Sequence, residues 1–273
     1  MNTSNSLLLE IGGISVLIIS ESAELIAQSR ERYTNFIAEN LNPRIAIEVE
    51  VVSDKDMTIR ADTGIVAPDG TFDRSTGIAT ISWHGFTGVF DVNKGTGKMR
   101  YTIHPMGLNS FLRFIYSLIL LDEPGFLVHA SSLIKNSRAY IFPGKSGAGK
   151  TTISQITPDR RILSDDLTLI KIIDNDCIVF GTPFWGSLAV GGENISTSVT
   201  GIYFLIKDRQ NYTKKITVKQ ALERLLPNIV FFVKENASAR QLFELCYTFV
   251  NRVPAYELHF LPEPSLWGCI DAE

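Results

Sequence analysis

Apolar and polar residues alternate with a period of two over much of the first 105 residues. LLLEI (7–11) and ISVLIIS (14–20) flank Gly12-Gly13, a hairpin signal. IAIEVEVV (45–52) alternates apolar with acidic residues, as a half-buried strand does. Residues 76–105 read as two or three antiparallel strands with Gly-rich turns. Two stretches break the period. Residues 22–39 carry Leu25, Ile26, Tyr33, Phe36 and Ile37 at helical spacing, and 107–121, GLNSFLRFIYSLILL, is apolar enough for a buried helix. The pattern predicts an α+β unit over 1–121, mostly antiparallel, with no catalytic constellation.

Asp122-Glu123-Pro124-Gly125 marks a boundary, and the pattern changes after it. FLVHASSLI and AYIF are continuous apolar runs separated by KNSR; RILS, LTLIKII, CIVFG and GIYFLI follow as further strands. Residues 217–226 and 238–252 suit helices. Unit 122–273 is therefore expected to be α/β with a mixed sheet.

Composition narrows the classes. In 273 residues, 45% are hydrophobic and 20% charged, a globular balance. The net charge of −3, without a dense Lys/Arg run, argues against nucleic acid as a partner. Cys177, Cys246 and Cys269 show no metal-ligand spacing and read as reduced thiols. The most apolar run, 111–121, contains Arg113 and is shorter than the roughly 20 residues a spanning helix needs. The expectation is a cytoplasmic protein with no membrane partner.

Chemistry enters at 142–152, FPGKSGAGKTT. Gly144, Lys145, Ser146, Gly147, Ala148, Gly149, Lys150 and Thr151 fit GxxxxGK[ST] at every fixed position. Glycines let backbone N–H groups turn inward around an anion, and the helix that follows adds its positive end. Lys150 would place its charge on the β- and γ-phosphates, and the Thr151 hydroxyl would bind Mg²⁺. Thr152 frames the helix and is in reach of an α-phosphate. The motif implies ATP and Mg²⁺.

Asp165 and Asp166 follow only 15 residues after Lys150, with Ser164 before them. A crossover of about a dozen residues is near the shortest that joins parallel strands, so the pair belongs at the C-terminal end of a strand close to the loop. One carboxylate suits the metal and the other suits a proton from an attacking hydroxyl; the same pair also suits a turn or N-cap. His129, in the strand before the loop, is either structural or in reach of phosphate charge. His84, His104 and His259 lack comparable neighbours. GTPFWG (181–186) lines a pocket or forms a packed turn around Trp185, and Lys207 and Arg209 neutralise phosphate or end a strand in solvent.

A strand with His129, then GxxxxGK[ST], then the Asp165-Asp166 pair resembles the C-terminal kinase domain of HPr kinase/phosphorylase, whose nucleotide site is similar to that of phosphoenolpyruvate carboxykinase. The resemblance covers about 120–210. It implies a P-loop kinase domain in which Asp165 is the base, Asp166 lies near the metal and His129 beside the transferred phosphate. It implies phosphoryl transfer from ATP to a serine-type hydroxyl, and a possible homo-oligomer. Ala130 stands where that family has Gly after the histidine, and the later Arg-Gly-x-Gly signature is missing; this pattern resembles a divergent branch, some of it associated with peptide-modification gene cassettes. The acceptor is then an unknown protein, peptide or small molecule, and a non-catalytic ATP-binding module is the alternative function.

Overall fold

The computed structural model describes residues 5–53, 69–83, 85–102, 107–186 and 191–271. The chain divides into two compact units, Met1–Ile119 with Phe231–Ala239, and Leu120–Val230 with Arg240–Glu273. The fold is mixed α/β with two mixed sheets.

The first unit opens on β1 (Ser6–Ile11) and β2 (Ile14–Ile19), an antiparallel hairpin turned by Gly12 and Gly13 at φ 60° and 76°. Only glycine adopts that left-handed region without strain. Helix α1 (Ala23–Arg32) starts at Ser22, whose hydroxyl accepts from Leu25 N at 3.2 Å. It stops well short of the predicted end at residue 39. The Thr34 hydroxyl folds back onto the Arg30 and Glu31 carbonyls, and Thr34–Phe36 close as a 3-10 turn. Then come β3 (Ile45–Val51), β4 (Asp69–Asp73), β5 (Ile78–Trp83), β6 (Phe86–Asp91) and β7 (Thr96–Tyr101). The sheet runs β1-β2-β3-β7-β6-β5-β4, antiparallel except where β3 pairs parallel with β2 and β7. Helix α2 (Gly107–Asp122) packs Phe111 against Phe86 and Phe114, with ring centroids 6.4 and 6.3 Å apart. Gly88 leaves room for the Phe111 ring, which a Cβ there would overlap.

The second unit is built around β8 (Gly125–Lys135), whose eleven residues are nearly all buried. Asn136 and Ser137, at φ 50° and 61°, turn it into β9 (Arg138–Pro143). After α3 (Lys150–Ile156) come β10 (Arg161–Ser164), β11 (Leu167–Ile173), β12 (Asp176–Phe180), β13 (Ser196–Lys207) and β14 (Tyr212–Lys215). Next come α4 (Val218–Leu225), β15 (Ile229–Val230), α5 (Asn236–Arg252), β16 (Ala255–Phe260) and α6 (Trp267–Ile270). Thr217 and Gln220 cap α4 reciprocally.

Both edges of β8 are used. β10 and β11 pair antiparallel along one, β9 and β15 along the other. On its far edge β9 pairs parallel with β13, which pairs parallel with β16. Strands β9, β10, β13 and β16 therefore end at one edge of the unit. No helix among the described residues is long and apolar enough to cross a membrane.

Candidate functional site

The loop after β9 is shaped by its glycines. Gly147 and Gly149 sit at φ 80° and 107°, where side chains are strained. A Cβ on Gly144 would stand 2.8 Å from Ala148 Cβ, and one on Gly149 would stand 2.7 Å from the Phe260 ring. Gly144 N donates to His129 O at 3.0 Å, tying the loop's first residue to β8. Lys150 arches over its own loop, and its ammonium donates to the Gly144 carbonyl at 2.7 Å and the Lys145 carbonyl at 3.2 Å. Burial holds its pKa below the ordinary lysine value; Asp166 and Asp165 pull the other way.

The acidic pair occupies a bend. Ser164 pairs with Ser132 and Leu167 with His129, so β10 and β11 keep one register on β8 across the two aspartates. They are one strand interrupted at Asp165-Asp166. The Ser164 hydroxyl accepts from the amides of Asp166 and Leu167 at 3.3 and 3.0 Å, and Thr182 donates to the Leu167 carbonyl at 2.6 Å. Alternation fails at the bend, and both aspartates line the same cavity. Asp165 is 3% exposed, and its Oδ1 accepts from Gly186 N at 3.0 Å. Asp166 lies beside His129, Oδ1 to Nδ1 3.7 Å.

That cavity, about 820 Å³, brings the loop residues other than Ala148 together with His129, Asp165 and Asp166. His129, Asp165 and Asp166 line it with Gly144, Lys145, Ser146, Gly147, Gly149, Lys150, Thr151 and Thr152. Lys207 joins them; Arg209 is not among the lining residues. GTPFWG is the packed turn of the two alternatives, with Phe184 rather than Trp185 fully buried. Its last residue, Gly186, holds Asp165 through its amide and lies against Asp166, both residues of the cavity lining.

Five lining residues escaped the sequence reading: Asp208, Pro227, Asn228, Phe260 and Pro262. β16 was not foreseen, so nothing placed Phe260 and Pro262 at the edge where the loop lies. Asn228 donates from Nδ2 to the Arg224 carbonyl at 2.8 Å, while its buried Oδ1 has no hydrogen-bond partner among the described residues. His259 lies outside the cavity lining and bonds Asp208, Nδ1 to Oδ2 2.7 Å. The Tyr212 ring stacks on it at 4.2 Å. His84 and His104 lie outside the described residues.

Among the described residues, no three His, Cys, Asp or Glu side chains converge as a metal cage. The hard oxygens of Asp166 and Thr151 suit Mg²⁺ that keeps waters and phosphate oxygens as further ligands.

No protein-family model matches the chain, and a search of curated proteins finds no match. The structure has a distant likeness to the HPr(Ser) kinase/phosphatase from Coxiella burnetii, at 13% sequence identity and a TM-score of 0.31. The match covers 54% of this chain and 94% of that one.

Proposed function

We propose that the protein is an ATP- and Mg²⁺-dependent kinase of the HPr-kinase type, transferring the γ-phosphoryl group to a serine-type hydroxyl. The observation behind this reading is the convergence, in one cavity, of the glycine loop, Lys150, the Asp165-Asp166 bend and His129. Backbone amides of 144–149 and the Lys150 ammonium hold and neutralise the phosphates. Thr151 and Asp166 would hold Mg²⁺, which would supply charge neutralisation on the phosphate oxygens. Asp165, oriented by Gly186 N, takes the proton of the acceptor hydroxyl. The hydroxyl oxygen bonds to the γ-phosphorus as the bond to the bridging oxygen breaks, and ADP leaves. His129 stands beside the transferred group and responds to its charge. The 1–121 region serves acceptor recognition or assembly, and the protein works in the cytoplasm, as a homo-oligomer.

The test is direct. The purified protein is incubated with γ-labelled ATP, Mg²⁺ and host extract, beside a Lys150→Ala control. A labelled acceptor that depends on Lys150 is the expected result. Tight Mg-ATP binding with no labelled product across candidate acceptors overturns the kinase reading and leaves a nucleotide-binding regulatory module.

A further inference from the structure

The cavity has two unlike ends, and sheet order decides which part of a nucleotide each receives. β9 feeds the loop. Along one edge it pairs β8, which carries His129 and, through β10 and β11, the acidic pair. Along the other it pairs β13, then β16, whose ends supply Lys207, Asp208 and Phe260. The reacting phosphate belongs with the acids and the metal. The nucleoside must then leave the loop towards the β13–β16 end.

That end sets an apolar wall beside two charged side chains, Lys207 and Asp208. Phe260 closes against Gly149 at the foot of the loop, and Pro262 lines the cavity two residues on. Asp208 is the acceptor there. Its Oδ1 takes the Arg209 amide at 2.6 Å and its Oδ2 bonds His259 Nδ1 at 2.7 Å. With the Tyr212 hydroxyl donating to Oδ2 at 3.4 Å as well, these bonds fix the carboxylate's plane, leave Oδ1 a free lone pair and hold its pKa below the ordinary value, the Arg209 amide first and His259 second. The Tyr212 ring, stacked on His259, fixes the histidine in turn. An anion in this position repels phosphate and takes a donor, which a ribose hydroxyl supplies.

We propose that Asp208 receives the ribose hydroxyls of the bound nucleotide, with Phe260 and Pro262 as the apolar seat of its base. This inference rests on the nucleotide reading above and adds the orientation of the ligand. Isothermal titration of the full chain with Mg²⁺ salts of ATP and 2′,3′-dideoxyATP tests it. The dideoxy compound should bind about tenfold more weakly, the scale of lost hydrogen bonds to a charged acceptor. Asp208→Ala should lower ATP affinity to the dideoxy level and leave dideoxyATP unchanged, a coupling that a purely structural role would not give. Equal binding of the two nucleotides by the unaltered protein overturns the proposal without any variant having to fold. So does an Asp208→Ala protein that still discriminates. Failure of ATP itself to bind overturns the nucleotide reading, and this proposal with it.

Discussion

The two flanks of β9 differ in kind. On the β8 side, polar side chains are held by local bonds at a break in a strand: Asp165 on Gly186 N, Asp166 beside His129, and the bend closed by Ser164 and Thr182. On the β13–β16 side Lys207 and Asp208 share the lining with Phe260 and Pro262, and Phe260 is continuous with a cluster that includes Tyr203, Leu258 and Trp267. One flank trades packing for placed charge, and the other is an extension of the core. Under the proposed function, damage to the first should spare binding and damage to the second should spare chemistry.

The largest departure is expected from Asp165→Asn. Label transfer should fall about a thousandfold, in the range typical of a lost general base, while ATP affinity stays within a few fold. A folded Asp165→Asn protein with intact transfer would break the division of labour. Lys150→Ala sits between the flanks and should weaken Mg-ATP binding about a hundredfold by titration, because it removes a charge-assisted phosphate contact. Asp166→Asn should raise the Mg²⁺ concentration needed for half-maximal transfer about tenfold, the lower end of losses at metal-supporting positions. Phe260→Leu should weaken ATP about fivefold through lost ring contact and leave inorganic tripolyphosphate binding unchanged. Equal weakening of both ligands would show that the ring shapes the loop rather than seats a base.

The smallest expected effect is on pH. Free Lys150 has a pKa below the ordinary lysine value of 10.5, and bound phosphate would raise it. Its charged form is thus present below the free-state pKa and lost as pH rises through it. ATP affinity should fall with alkaline pH in the window from that depressed pKa up to the value in the complex, with net proton uptake on binding. Lys150→Arg should flatten the slope.

Much of this layout was legible from periodicity and one motif. Apolar runs on either side of Gly12-Gly13 gave β1 and β2, Gly-rich turns the strands of 76–105, and alternation gave β3, since one buried face forces a period of two. The glycine loop declared itself because few residue types tolerate its backbone. Three things were hidden. α1 was over-extended, because the apolar spacing of Tyr33 and Phe36 persists through a 3-10 turn that a hydroxyl closes. The register that Ser164 and Leu167 share on β8 has no sequence mark; adjacent aspartates on a strand would point to opposite faces, and only the bend turns both to one cavity. Asp208, Asn228 and Phe260 lie 64, 84 and 116 positions beyond Gly144, the loop's first glycine, and only the order of β9, β13 and β16 gathers most of them. A long-range pairing of that kind leaves no local pattern.

The interruption between β10 and β11 sets stability against activity. Nothing is inserted there: two residues occupy their proper places opposite β8 and yet do not lie flat. The ladder's missing bonds are replaced by hydroxyls, and a carboxylate is kept almost dry in the gap. β-branched residues in place of Asp165 and Asp166 would let the strand close over the gap, and such a protein should melt later and transfer nothing. The break in the sheet is thus a standing concession of stability, concentrated in two residues.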